Sequence, residues 1–265
     1  SRRVPVDEPG AAASARTVPR VLGVSLKSYL GVEQSRRWAA EIARIARTHA
    51  AVRSGAVEVF VLPSIPAFPG VRDALVRTKV RVGAQDLHTD DRGAHTGAVS
   101  GADLHEIGCR LVEIGHAERR TVFGEGPDVA RAKMRAAVRN QLTPVLCIGE
   151  PERSDPAAAA SRCLEQVRSI LAGVGEMTEL LVAYEPEWAI GRPTPAPPAY
   201  VREVAAFLRA GITRTGGGTR LIYGGSAQRG TLTELSGAVD GLFLGRFAHD
   251  PASFAGILDE AAALS

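Results

Sequence analysis

From Val21 onward, short apolar runs rich in β-branched residues alternate with longer stretches of helical period. The runs are VLGVS (21–25), VEVFVL (57–62), VRVGAQ (80–85), RLVEIG (110–115), TPVLCIG (143–149), LLVAYE (180–185), TRLIYGG (219–225) and DGLFLG (240–245). Helical patterning is strongest at 33–51, 127–140, 155–172, 197–215 and 250–264, and weaker at 67–77, 101–108 and 231–236. Gly or Pro punctuates most of the boundaries. Eight strands alternating with eight helical segments imply parallel strands joined by crossovers. Eight such units fill the ~250 residues of a closed (β/α)8 barrel, an α/β fold. The rival arrangement, an open doubly wound sheet, usually carries a GxGxxG turn after its first strand, and this chain has none there. No low-complexity linker divides the chain, so residues 20–265 are expected to form one domain. Residues 1–19, rich in Ala, Arg and Pro without periodicity, read as a loose N-terminal arm.

Composition narrows the function classes. Apolar residues make up 45% and charged residues 23% of the 265, as in an ordinary protein with a sizeable core. No apolar run approaches the ~20 residues of a membrane helix. The first residues lack the apolar segment of a secretory signal. The net charge is only +3, and no Lys/Arg run is interleaved with aromatics, so no nucleic-acid partner is expected. Cys109, Cys147 and Cys163 are too few and too scattered for a disulfide framework or a CxxC metal site, which fits a reducing cytoplasm. Basic residues are chosen very unevenly: of 32 Lys plus Arg, only Lys27, Lys79 and Lys133 are lysines. A chain so biased toward Arg that keeps Lys27 hints at a need for a compact ammonium there.

In a closed α/β barrel, chemistry sits at the C-terminal ends of the strands. By that rule Ser25-Leu26-Lys27, Gln85, His116, Glu185 and the turns Tyr223-Gly224-Gly225-Ser226 and Leu244-Gly245-Arg246 share one rim. A carboxylate facing an imidazole suits proton transfer beside a carbonyl. A lysine supplies positive charge for a developing enediolate oxygen. Glycine turns after the last two strands expose N–H groups to an anion. Taken singly, each feature has an ordinary explanation: a solvated Glu, a structural His, a simple turn. Their joint placement on one rim is what points to an active site.

Four stretches then resemble triosephosphate isomerase: GAQDLH with GAHTGAVSG (83–101), IGHAERR (114–120), CIGE with AYEPEWAIG (147–150 and 183–191), and YGGS with LFLGR (223–226 and 242–246). They follow the family's order and span nearly the whole chain after residue 20. The resemblance implies a TIM barrel in which Glu185 is the base and His116 a neutral electrophile. It implies that Lys27 stabilises negative charge and that Glu118 pairs with it. Trp188, Ala189 and Ile190, ending at Gly191, resemble a mobile lid, latched by Tyr223 and Ser226. Gly191, Gly224, Gly225, Ser226, Gly245 and Arg246 would contact the phosphate, and Gln85 and Thr96 would serve a homodimer contact. No metal or organic cofactor is implied.

The chain also departs from the family. Ser25 stands where the family has Asn, and Ala117 where it has Ser. The lid runs into Arg192-Pro193-Thr194-Pro195-Ala196-Pro197-Pro198, and Arg246 replaces a second glycine. The prolines stiffen the second hinge, and Ser25 leaves room in the binding wall. This pattern resembles the subgroup that isomerises four-carbon erythrulose phosphates in sugar-alcohol breakdown. The alternatives are the glycolytic triose phosphate reaction, another phosphate-binding barrel enzyme such as a lyase or synthase, and a catalytically silent phosphate-binding barrel.

Overall fold

A computed structural model describes residues 18–212, 218–235 and 237–265. Eight parallel strands close into a barrel in sequence order: β1 (Arg20–Ser25), β2 (Val57–Leu62), β3 (Arg81–Ala84), β4 (Leu111–Ile114), β5 (Thr143–Ile148), β6 (Leu180–Tyr184), β7 (Thr219–Tyr223) and β8 (Gly241–Leu244). Closure is made by β8 pairing with β1, where Val21 lies opposite Gly241. The outer layer comprises α1 (Val32–Thr48), α2 (Ala50–Ser54), α3 (Phe68–Leu75), α4 (Gly101–Glu106), α5 (Ala117–Thr121), α6 (Pro127–Arg139), α7 (Pro156–Leu171), α8 (Pro198–Ile212), α9 (Thr231–Glu234) and α10 (Pro251–Ala263).

Two of the outer helices start at side-chain caps followed by proline. Asp155 accepts from the N–H groups of Ala157 and Ala158 ahead of Pro156, and Asp250 accepts from Ser253 N–H ahead of Pro251. The helical stretch read as 33–51 is two helices. His49 adopts extended backbone (φ −73°, ψ 118°) and divides α1 from α2, with its Nε2 3.0 Å from Asp259 Oδ1. The arm expected at 1–19, except Val18 and Pro19, and the helix ends expected at 213–215 and 236 lie outside the described residues.

Strand alternation sorts the core into two shells. Val21, Phe60, Leu62, Leu111, Val145, Cys147, Leu181, Ala183, Ile222 and Phe243 fill the barrel interior. Their neighbours, such as Leu22, Val61, Val112, Leu146 and Val182, pack outward against the helices. At the N-terminal mouth, Arg81 and Arg220 each contact both Glu58 and Glu179, which closes that end with charge. Most strands are one or two residues shorter at their C-terminal ends than the apolar runs suggested. The residues just past the strands include Gln85, Glu185, Gly224 and Gly245, which line the cavities at that mouth of the barrel.

Candidate active site

Several strand ends deliver polar groups to one mouth of the barrel. After β1, Lys27 adopts a left-handed φ of 45°, a conformation that a non-glycine residue holds only when its surroundings enforce it. The enforcing contact is Gln85 Nε2, which donates to Lys27 O and to Leu62 O, both at 3.0 Å. Lys27 Nζ in turn donates to Glu118 Oε1 at 2.6 Å. Burial alone would lower the Lys27 pKa; the Glu118 hydrogen bond and charge, with Glu185 and Glu113 behind them, outweigh burial and raise it.

After β4, His116 caps α5. Its Nδ1 accepts the Glu118 N–H at 3.1 Å. That bond requires a lone pair on Nδ1, so the ring proton of the neutral imidazole sits on Nε2. Nε2 lies 3.1 Å from Glu185 Oε2. His116 and Glu185 are both buried. The positions of two groups explain why Glu185 can stand there. Its N–H donates to Ile148 O at 2.9 Å, which continues the ladder from β5. A Cβ at residue 224 would come within 2.4 Å of Glu185 Oε1, so only glycine leaves room for the carboxylate.

Lys27, His116, Glu118, Glu185 and Ser25 line one cavity of about 580 Å³, together with Ile190, Gly191, Gly224, Ser226, Gly245 and Arg246. The expected proton-transfer group and the glycine turns therefore meet. Gly225 is buried behind that wall, where an added Cβ would meet the Tyr223 hydroxyl at 2.4 Å. Tyr223 is itself buried, its ring 6.2 Å from that of Tyr184, and does not line the cavity. Arg246 is exposed and lies over the Tyr29 ring at 5.1 Å. Ser25 O approaches His249 Nε2 at 3.2 Å, while Ser25 Oγ is buried without a hydrogen-bond partner.

Ile190, Gly191, Arg192 and Pro193 line this cavity; Trp188 and Ala189 do not, and form the inner root of the stretch. Glu150 holds that root. Its Oε1 accepts from Trp188 Nε1 at 2.8 Å, Tyr200 OH at 2.8 Å and Tyr184 OH at 3.1 Å. Arg120 pairs with Glu187 alongside. Glu150 belongs to the CIGE stretch, but a lone Glu at the end of an apolar run carries no signal of which donors it will gather.

A second cavity, about 940 Å³, shares Ser25, Lys27, His116 and Glu118 and opens sideways between residues 85–89, 97–99 and Phe123. Gln85 lines it. Thr96 lies outside it on an exposed loop. Among the described residues, the groups spaced to hold a metal are His88, Asp90 and His95 on that loop, apart from Glu185.

The site residue not singled out from sequence is Glu113. It sits in β4 on the inward face that it shares with Leu111, and it lines both cavities. The available signal was one charge inside an otherwise apolar run.

Fold and site together define the class: a (β/α)8-barrel enzyme built to move a proton beside a carbonyl. The family model for triosephosphate isomerase matches residues 20–261. An L-erythrulose-1-phosphate isomerase of Pectobacterium atrosepticum is 50% identical over 249 residues, covering 92% of this chain and 96% of that protein. An L-erythrulose-1-phosphate isomerase of Mycolicibacterium smegmatis is 40% identical over 252 residues, covering 91% and 93%. A triosephosphate isomerase of Moorella thermoacetica is 40% identical over 217 residues, covering 78% and 87%. The chain belongs to the triosephosphate isomerase family.

Proposed function

We propose that this chain is a sugar-phosphate isomerase whose substrate is L-erythrulose 1-phosphate. The observation that carries the reaction type is the buried His116–Glu185 pair at 3.1 Å, in a cavity that Lys27 also reaches. The substrate follows from the two erythrulose-phosphate relatives, whose matches cover nearly all of both chains.

In this substrate the carbonyl carbon, C2, lies between the phosphate-bearing C1 and the hydroxyl-bearing C3. Glu185 leaves His116 and takes the proton from C3. The electron pair of that bond forms the C2–C3 double bond and moves charge onto the C2 oxygen. His116 Nε2–H and the Lys27 ammonium face that oxygen and stabilise the charge. His116 then carries the hydroxyl proton from the C3 oxygen to the C2 oxygen. Glu185 returns its proton to C2, and the carbonyl ends on C3. The phosphate is held at Gly191, Ser226 and Gly245, and closure of the lid over it excludes water.

The assembly is a homodimer. Support comes from the open cavity beside the site and from the exposed Phe123, Tyr29 and Val129 that line it, an apolar face beside a projecting loop. The enzyme works in the cytoplasm, in keeping with three buried, unpaired thiols.

Turnover in deuterated water, followed by NMR, tests the reaction: one deuterium should enter the product at the new C–H bond. L-erythrulose 1-phosphate should be converted with at least roughly tenfold higher kcat/KM than dihydroxyacetone phosphate, about 1.4 kcal/mol in transition-state free energy. Glu185→Asp should lower kcat on the order of a hundredfold, because a base misplaced by about 1 Å loses alignment with the proton. Unchanged turnover in that variant would remove Glu185 from the mechanism.

A further inference from the structure

We propose that Glu113, with Ser25 beside it in the same cavity, selects the four-carbon substrate by hydrogen-bonding the hydroxyl of its extra carbon. This rests on the reaction proposed above and adds a specificity residue to it.

Three observations converge. Glu113 lies inside the barrel wall at 5% exposure, yet it lines both cavities that reach His116. Among the described residues its carboxyl takes one hydrogen bond, a weak one from Cys147 Sγ at 3.5 Å, and the nearest cation-forming group, His116 Nε2, stands 4.0 Å away. Ser25 Oγ, also buried and also lining both cavities, has no hydrogen-bond partner. Buried polar atoms almost always find partners, and in this cavity one has none and the other has only a weak thiol bond. The cost shows on Glu113: burial is the main cause that pushes its pKa up to about 7, with the Glu185 charge adding to the rise.

The chemistry of the substrate supplies the missing partner. Dihydroxyacetone phosphate ends at the carbon that loses its proton. L-erythrulose 1-phosphate carries a hydroxymethyl group on that same carbon, on the side away from the phosphate. With the phosphate at the outer turns and the carbonyl oxygen at His116 Nε2, the added group points inward along the barrel axis. Glu113 begins within 4.0 Å of that nitrogen and lies on the same inward face. Its carboxyl can accept from the added hydroxyl, and Ser25 Oγ can donate to it. A three-carbon substrate leaves Ser25 Oγ unpaired and Glu113 with only its weak thiol bond, which is how a polar site rejects an analogue lacking a hydroxyl. The negative carboxylate also repels a phosphate presented inward, so only one orientation of the substrate is tolerated.

The test compares wild type, Glu113→Val and Glu113→Gln on L-erythrulose 1-phosphate and on dihydroxyacetone phosphate. The triose is read as turnover, and also as competitive inhibition of tetrulose conversion. Glu113→Val should lose at least roughly tenfold in tetrulose kcat/KM, while triose binding and turnover stay level or improve. Glu113→Gln, which keeps a hydrogen-bonding group, should lie between wild type and Val. Should the Val variant fail to fold, judged by its melting transition, Gln carries the same comparison in smaller measure. A tetrulose-to-triose ratio unchanged in both variants overturns the role of Glu113 and leaves the proposed reaction standing. A wild-type enzyme that converts neither sugar overturns both.

Discussion

The imidazole of His116 is pulled in two directions. Burial disfavours a second proton, while the carboxylates of Glu185 and Glu113 favour it and prevail, raising its pKa to about 9. The Glu118 N–H aimed at Nδ1 opposes that proton directly, since protonating Nδ1 would break the cap and set two N–H groups against each other. A neutral His116 requires this directional bond to outweigh the pull of the two carboxylates. The expected result of ¹⁵N NMR on the substrate-free enzyme between pH 6 and 8 is an Nδ1 with a free lone pair and a protonated Nε2. An imidazolium signal across that range would refute the neutral electrophile. With a pKa near 9, an imidazolium persists through this window and loses its proton only above it.

At the scale of elements, the site depends on turns that leave space. The turn after β7 passes so close to Glu185 that residue 224 has no room for a side chain, although it needs no unusual backbone angle. Gly224→Ala should therefore keep the barrel but push the carboxylate off its line to the substrate. We expect kcat to fall on the order of a hundredfold with a melting temperature within a few degrees of wild type. Wild-type kcat would show that Glu185 relaxes elsewhere without loss. The lid differs in kind. Its root is fixed by Glu150 under Trp188, and its tip bears Gly191 at φ 68°, where any side chain would be strained. Beyond it, the Pro-rich run into α8 restricts backbone rotation, so the freest torsions of the stretch lie at Gly191 and Arg192.

At the scale of the molecule, the barrel separates stability from chemistry. The N-terminal mouth is closed by the Arg81, Arg220, Glu58 and Glu179 lattice, while every proposed catalytic group lies at the other end. The side of the catalytic end is open. Phe123 is 61% exposed there, stacked under Arg119 at 3.9 Å, next to the projecting residues 86–101. Covering this face with a second copy would bury it and bring that copy's loop toward Lys27. Phe123→Asp should therefore yield monomers by analytical ultracentrifugation, with kcat/KM lower by roughly tenfold or more, a penalty of about 1.4 kcal/mol. A fully active monomer would show that each site is complete alone.

Local pattern alone carried much of this. The alternation of eight apolar runs with helical segments is a property of neighbouring residues, because period and burial are locally encoded, and it specified the barrel and the ends of its strands to within one or two residues. The rim residues Lys27, His116 and Glu185 were legible for the same reason: each lies within two residues of the end of a strand. Contacts between distant segments were not. Nothing near Gln85 in the sequence announces that its amide secures the strained backbone of Lys27, a role within its own chain that accompanies the dimer contact expected of it. Glu150 gathers donors from β6, the lid root and α8, and Glu113 reads only as an odd charge in a strand until closure turns it inward. The inward or outward sense of a strand residue, and the partner it meets across the barrel, are set when β8 joins β1. That step brings together groups as far apart as Lys27 and Glu118, 91 positions along the chain. Tertiary closure therefore decided the buried polar partners and the vacant hydrogen-bonding capacity of Ser25 and Glu113, because desolvation is a property of the finished interior and not of any segment within it.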